Sequence, residues 1–271
     1  MRDDLTSIPT VRQWLELQST TDDELLGTLI SGASRMILGY LARDTMFYRS
    51  QVDTYNGIDN TFMVLRSWPV LAVSAVACNG VAIPVNPTPP LGSGYVVDTW
   101  DGAMPGKNSA IVLTGYTFTR GQRNVSVTYT SGYAIIDEAA TIPSGDPYTI
   151  TPAQTDGNFG GDVGVKTASG TALTKVSAAP ATGQYAVSDG VYLFAAADAG
   201  QSVLISYNII PPDIEQACME IVGERYRYRK RIGEVSRALQ GGGSVSFSQK
   251  DMSDYVTQLL APYRAVIPLW Q

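Results

Sequence analysis

Histidine is absent from this 271-residue chain. That one absence removes Ser-His-Asp and Cys-His nucleophile chemistry, imidazole metal sites and the usual titrating switch near neutral pH. Cysteine is scarce: Cys78 and Cys218 form no C-x-x-C pair, so no disulfide framework is expected, and both sit among apolar residues as buried thiols do. Charge is thin at 16% of residues, against roughly 25% in an ordinary soluble domain, which suits a surface partly covered by partners. No apolar run approaches the ~18 residues of a membrane span, so no membrane partner is expected. Met1-Arg2-Asp3-Asp4 has no apolar core of a secretory signal. These features predict a chain used in a reducing cytoplasm, or assembled there into something larger.

The charge that is present is uneven. The net value is −6, so the chain as a whole does not attract nucleic acid, and any contact with DNA must be local. Residues 137–210 hold seven acids and two bases, a net −5, while the rest, with eighteen acids and seventeen bases, is −1. That segment is also rich in Ala, Gly, Thr, Ser and Val.

Periodicity organises the chain. Residues 9–17 read as a short helix with Pro9 in its first turn and Val11, Trp14 and Leu15 on one face. Thr21-Asp22-Asp23-Glu24 reads as a capping box with Thr21 as N-cap. It opens a helix to about Arg43 whose stripe is Leu25, Leu26, Leu29, Ile30, Ala33, Met36, Ile37, Tyr40 and Leu41. Alternation then predicts strands near residues 47–55, 61–66, 70–77, 81–83, 95–98, 110–113 and 125–130, with Asn79-Gly80 as a hairpin turn. Further short strands are expected near residues 148–151, 163–166, 173–176, 190–194 and 202–207, forming a small β sandwich. Pro211-Pro212-Asp213 opens a helix to about Arg231, striped by Ile214, Ala217, Cys218, Ile221, Val222 and Arg225. Gly241-Gly242-Gly243 is a break, Val245-Ser246-Phe247 a short strand, and residues 251–260 a last helix that Pro262 ends. The fold expected is α+β: a small helical bundle with an antiparallel sheet, made of residues 1–137 and 208–271, and an inserted β-sandwich-like domain at 138–207.

Few residues carry chemistry. Arg225, Arg227, Arg229, Lys230 and Arg231, interleaved with Tyr226 and Tyr228, are the one basic run. They can track a phosphate backbone or an acidic partner, or simply complement a helix C-terminus. Asp22-Asp23-Glu24 is explained by capping. Asp156, Asp162, Asp189 and Asp198 form no calcium loop, and neither glycine run is followed by Lys-Ser/Thr as in a phosphate loop. No catalytic residue, cofactor or metal is expected. The tail bearing Val266, Ile267, Leu269 and Trp270 is costly to leave in water; it packs on its own core or docks on another chain.

The order of parts, with several local strings, resembles the head–tail connector (adaptor) family of long-tailed double-stranded DNA bacteriophages. The strings are Asp22-Asp23-Glu24-Leu25-Leu26, Leu65-Arg66-Ser67-Trp68-Pro69-Val70, Val127-Thr128-Tyr129-Thr130-Ser131-Gly132-Tyr133, Pro212-Asp213-Ile214-Glu215-Gln216-Ala217, Arg225-Tyr226-Arg227 and Leu259-Leu260-Ala261-Pro262-Tyr263-Arg264. The segment 138–207 departs from that family's compact pattern. The resemblance implies a non-enzymatic virion protein at the portal vertex, assembled in the host cytoplasm. It would form a ring, usually dodecameric, between the portal protein and a tail-proximal neck or tail-completion protein, around a channel through which DNA passes without sequence-specific binding. It implies that Val266, Ile267, Leu269 and Trp270 meet the portal, and that the basic run faces the channel or a neighbouring subunit. The competing reading is a tail- or fibre-associated surface module in which exposed aromatics of the β segment hold a glycan.

Overall fold

The computed structural model describes residues 3–98, 110–154, 157–229, 236–238, 244–246 and 252–264. The architecture is α+β, and the chain divides into two compact units. One is helical and joins residues 1–44 to 210–264; the other is a β unit of residues 45–209. Residues 138–207, expected as an inserted domain, lie within the β unit.

In the helical unit, α1 (Ile8–Trp14) starts at Ser7, whose hydroxyl accepts the Thr10 amide, with Pro9 in the first turn. The long helix α2 (Asp23–Leu41) turns Leu26, Ile30, Ala33, Ile37, Leu38 and Leu41 inward, and Ala42 closes it in the left-handed conformation at φ 53°. The expected capping box does not form. Asp22, not Thr21, is the cap residue, and its side chain makes no cap hydrogen bond. The Thr21 hydroxyl pairs with Ser19 instead. The acids at this helix start are drawn into ion pairs, Asp23 to Arg12 at 3.3 Å and Asp22 to Arg229 at 3.0 Å.

Helix α3 (Pro212–Tyr228) buries Ile214, Ala217, Cys218, Ile221 and Val222, as its stripe predicts. It also buries Glu215, which accepts from the Thr6 hydroxyl at 3.1 Å. Ser34 on α2 receives the Leu5 amide at 2.9 Å and meets Cys218 Sγ at 3.7 Å. Thr6, Glu215, Ser34 and Cys218 in this core are thus paired, as burial requires. Helix α4 (Asp254–Leu260), capped by Ser253, runs into a 3-10 turn (Ala261–Tyr263). Buried Tyr263 donates to Asp213 at 3.1 Å, while its carbonyl accepts from Arg43 at 3.0 Å.

The β unit opens with β1 (Arg49–Gly57), β2 (Phe62–Val64), β3 (Val70–Cys78), β4 (Val81–Ile83), β5 (Gly94–Asp98), β6 (Ala110–Thr114) and β7 (Gly121–Ser131). They form two sheets, ordered β1-β7-β3-β4 and β2-β6-β5. One apolar cluster joins them, including Tyr55, Met63, Ile111, Leu113, Phe118, Val127 and Tyr129. Asn79 (φ 51°) and Gly80 (φ 77°) both take positive φ, the geometry of the tight turn that joins twisted strands.

The chain continues through β8 (Ala134–Thr141), β9 (Thr149–Ile150), β10 (Asn158–Thr167), β11 (Thr174–Lys175), β12 (Gln184–Ser188), β13 (Val191–Phe194) and β14 (Ser202–Ile210), in sheets ordered β10-β14-β8 and β11-β12-β13-β9. Strand β14 returns antiparallel to β8, with Asn208 opposite Ala134 and the Ile209 amide on the Tyr133 carbonyl at 3.0 Å. Exit and re-entry of this segment are therefore adjacent. Between α3 and α4, β15 (Ser236–Ala238) pairs with β16 (Ser244–Ser246), which overlaps the short strand expected there. Among the described residues no helix is long and apolar enough to cross a membrane.

Candidate interaction surfaces

The basic run begins on the last turns of α3. Arg227 is exposed, and Arg225 is half-buried and engaged in an interaction. Arg229 is committed within the helical unit. Its guanidinium contacts both Asp22 oxygens, at 3.0 and 3.3 Å, meets the Tyr226 hydroxyl at 3.0 Å, and lies 4.1 Å from the Tyr226 ring centroid. Tyr226 in turn donates a short hydrogen bond to Asp22. That bond raises the phenol's pKa, and the Asp22 carboxylate likewise raises that of Arg229. The cluster fastens the end of α3 to the start of α2, so Arg229 is not a loose surface cation. Lys230 and Arg231 lie outside the described residues, as do Val266, Ile267, Leu269 and Trp270 of the tail.

Beside this cluster lies a cleft of about 490 Å³ in the helical unit. Its walls include Trp14, Ile221 and Val256, with Glu220, Glu224 and Arg227 at hand. Gly223 lies against the end of α1: a Cβ there would make ordinary contact, 3.5 Å from Leu15 and 3.6 Å from the Trp14 indole nitrogen. Trp14 nonetheless stays 43% exposed. The sequence carried a signal for this site in the i, i+4 spacing of Glu220 and Glu224, which put both on one helix face. Only the fold brings Trp14 to them.

Four of the six aromatics of residues 138–207 are turned inward, as their alternation predicts, while Tyr148 and Phe159 are half-buried. Tyr185, Tyr192, Phe194 and Tyr207 are buried. Tyr185 and Tyr192 stack at 5.9 Å, and Phe159 meets Tyr192 edge-on at 6.2 Å. A glycan platform needs such rings at the surface, so these offer none.

The carboxylates weighed as metal ligands are occupied. Asp162 accepts from Tyr185 (2.9 Å) and Tyr192 (3.1 Å) and pairs with Lys175 at 3.0 Å. Asp198 is buried and accepts the Gly183 amide at 2.9 Å. Asp189 accepts from Ser188, and Asp156 lies outside the described residues. Among the described residues no group of three or more Cys, Asp or Glu is placed to hold a metal. Cys78 and Cys218 are both free and buried, and burial pushes the Cys218 thiol up to about 12.

No family model matches this sequence. No curated protein matches it either. Among solved structures the chain is similar to one from the neck of an empty GTA particle, a structure computed with C6 symmetry. The two share 13% sequence identity over 98% of this chain and 92% of that one, with a TM-score of 0.36. A likeness of that depth assigns neither family nor role.

What remains open on this molecule is surface. Val52 (63%), Val81 (65%), Val85 (60%) and Leu91 (92%) are exposed apolar side chains of the β unit, and the cleft and Arg227 are open polar features of the helical unit.

Proposed function

We propose that this chain is a structural virion protein, a ring-forming connector that joins a capsid portal to a tail and surrounds the path of the DNA. The observation that carries the reading is how the polar groups are used. The buried tyrosines and carboxylates described above are tied to one another, to backbone amides or to cations, whereas apolar side chains stand in water. A molecule built this way offers surfaces for proteins to cover rather than a poised nucleophile or base. The sparse charge and the ordered strings shared with connector proteins support the same reading.

On this reading residues 138–207 are an appended module, held by the adjacent β8 and β14, that decorates the ring or touches a neighbouring virion protein. The tail with Val266, Ile267, Leu269 and Trp270 meets the portal. Arg227, with Arg225, Lys230 and Arg231, faces the channel or a neighbouring subunit, while Arg229 secures α3. The test is docking on the candidate portal protein by co-sedimentation. Deleting residues 264–271 should abolish docking, and undiminished docking would sink the tail assignment. Reversing the charge of Arg227 should impair particle assembly or DNA retention, whereas normal particles would remove it from the channel.

A further inference from the structure

Two features are held ready and have no partner among the described residues. The first is the cleft. Glu220 and Glu224 lie one turn apart on α3, and among the described residues neither makes a hydrogen bond or ion pair. Asp22 and Asp23 of the same unit do. Two carboxylates at i, i+4 repel each other, and the exposed Trp14 indole beside them is the side chain best suited to face a cation. Arg227 leaves the cleft with a net negative charge.

The second feature is the tip formed by the loop that leads into β7 and the first residues of that strand. Arg120 and Arg123 are exposed there, and their guanidinium groups have no partner among the described residues. Their backbone is fixed. The Arg120 amide donates to Asp59 and the Arg123 amide to Asn56, each at 2.7 Å, and Asn124 ties Thr119 to Asn79. Arg123 holds a left-handed φ of 49° within this network, a conformation that persists only where its surroundings enforce it. Of three segments of the chain, residues 45–133, with five bases and four acids, form the one with a net positive charge. The helical segments carry fourteen acids and twelve bases, and residues 134–209 seven acids and two bases.

We propose that the arginine tip of one copy docks in the Trp14–Glu220–Glu224 cleft of a second copy. The complementarity is of charge: two guanidinium groups on a fixed stretch of backbone meet two carboxylates that Arg227 only partly offsets, and an aromatic face. Tip and cleft are different surfaces, so the contact is head-to-tail and propagates from copy to copy, closing into a ring or running on as a filament. It rests on the connector reading and names the residues that would join its subunits.

The test is sedimentation velocity of the full chain, alone and on the candidate portal protein. Arg120→Glu with Arg123→Glu, and separately Glu220→Arg with Glu224→Arg, should each weaken self-association at least about tenfold, since like charges then meet at the contact. Mixing the two variants one to one should restore it, and so should all four changes in one chain. Arg120→Gln with Arg123→Gln weakens association in the same direction and serves if a reversal fails to fold. Reversed variants that associate like wild type would overturn this contact and leave the ring reading standing. A wild-type chain that never self-associates, alone or on the portal, would overturn both.

Discussion

The two halves of the β unit solve the same problem with different partners. Each buries a pair of tyrosines whose hydroxyls share one aspartate. In the first, Tyr55 and Tyr129 donate to Asp53 at 3.0 and 2.7 Å. Their oxygens also accept the amides of Arg66 and Ser67, and the Arg66 guanidinium lies 4.8 Å from the Tyr55 ring centroid. In the second, Tyr185 and Tyr192 donate to Asp162, whose charge Lys175 meets directly. By residue both aspartates are half-buried; what differs is the partner each one has. Asp162 has a cation at contact distance. At Asp53, backbone donors satisfy the phenols from the other side. An aspartate thus serves in each half as a clamp between strands, once beside a cation and once beside backbone donors.

The largest effect expected on this comparison is from Asp162→Ala. It strands two buried hydroxyls and should cost about 3 kcal/mol by urea unfolding. Asp53→Ala should cost less, about 1–2 kcal/mol, because the phenol oxygens keep their amide donors. Equal losses would show that the amide donors do not separate the pairs.

Alkaline titration sharpens the point. Burial, first, and the adjoining Asp162 carboxylate raise Tyr185 and Tyr192 above their ordinary range, and burial likewise raises Tyr55 and Tyr129. Since the folded pKa values lie above the unfolded ones, the stability these tyrosines contribute is full below about pH 10 and is lost as pH climbs beyond it. Phenolate absorbance should therefore show these four silent while exposed tyrosines titrate, then ionising together with unfolding. A smooth titration of every tyrosine in the folded protein would contradict the clamps. The smallest effect is Lys175→Met. Its side chain is 45% exposed, and the change should cost about 1 kcal/mol or less; a loss matching Asp162→Ala would mean the ion pair, not the shared hydrogen bonds, holds the second half together.

Sequence reading succeeded where the signal is local. The stripe of α2, the alternation of β7 and the Asn79-Gly80 turn all form as expected. It failed where the partner is distant. Asp22 resembled a capping residue, yet its carboxylate is taken by Tyr226 and Arg229, about two hundred positions along the chain. Strand β8 went unread because Asp137, at φ 56°, sits where the pairing with β14 slips between Ile205 and Tyr207, and this bulge breaks the two-residue period. Strand β12 was missed because it is short and two of its five residues, Gln184 and Ser188, are polar. The α3 cations were visible as a run, but nothing local distinguishes Arg229, folded onto Tyr226, from the exposed Arg227. The cleft was legible only as two glutamates one turn apart, because Trp14 comes to them from the other end of the chain.

The most direct test of the connector account is mass by light scattering, with negative-stain imaging, of the full chain alone and mixed with its candidate portal protein. The account predicts a closed ring, free or seated on the portal. A stable monomer that ignores the portal would contradict it.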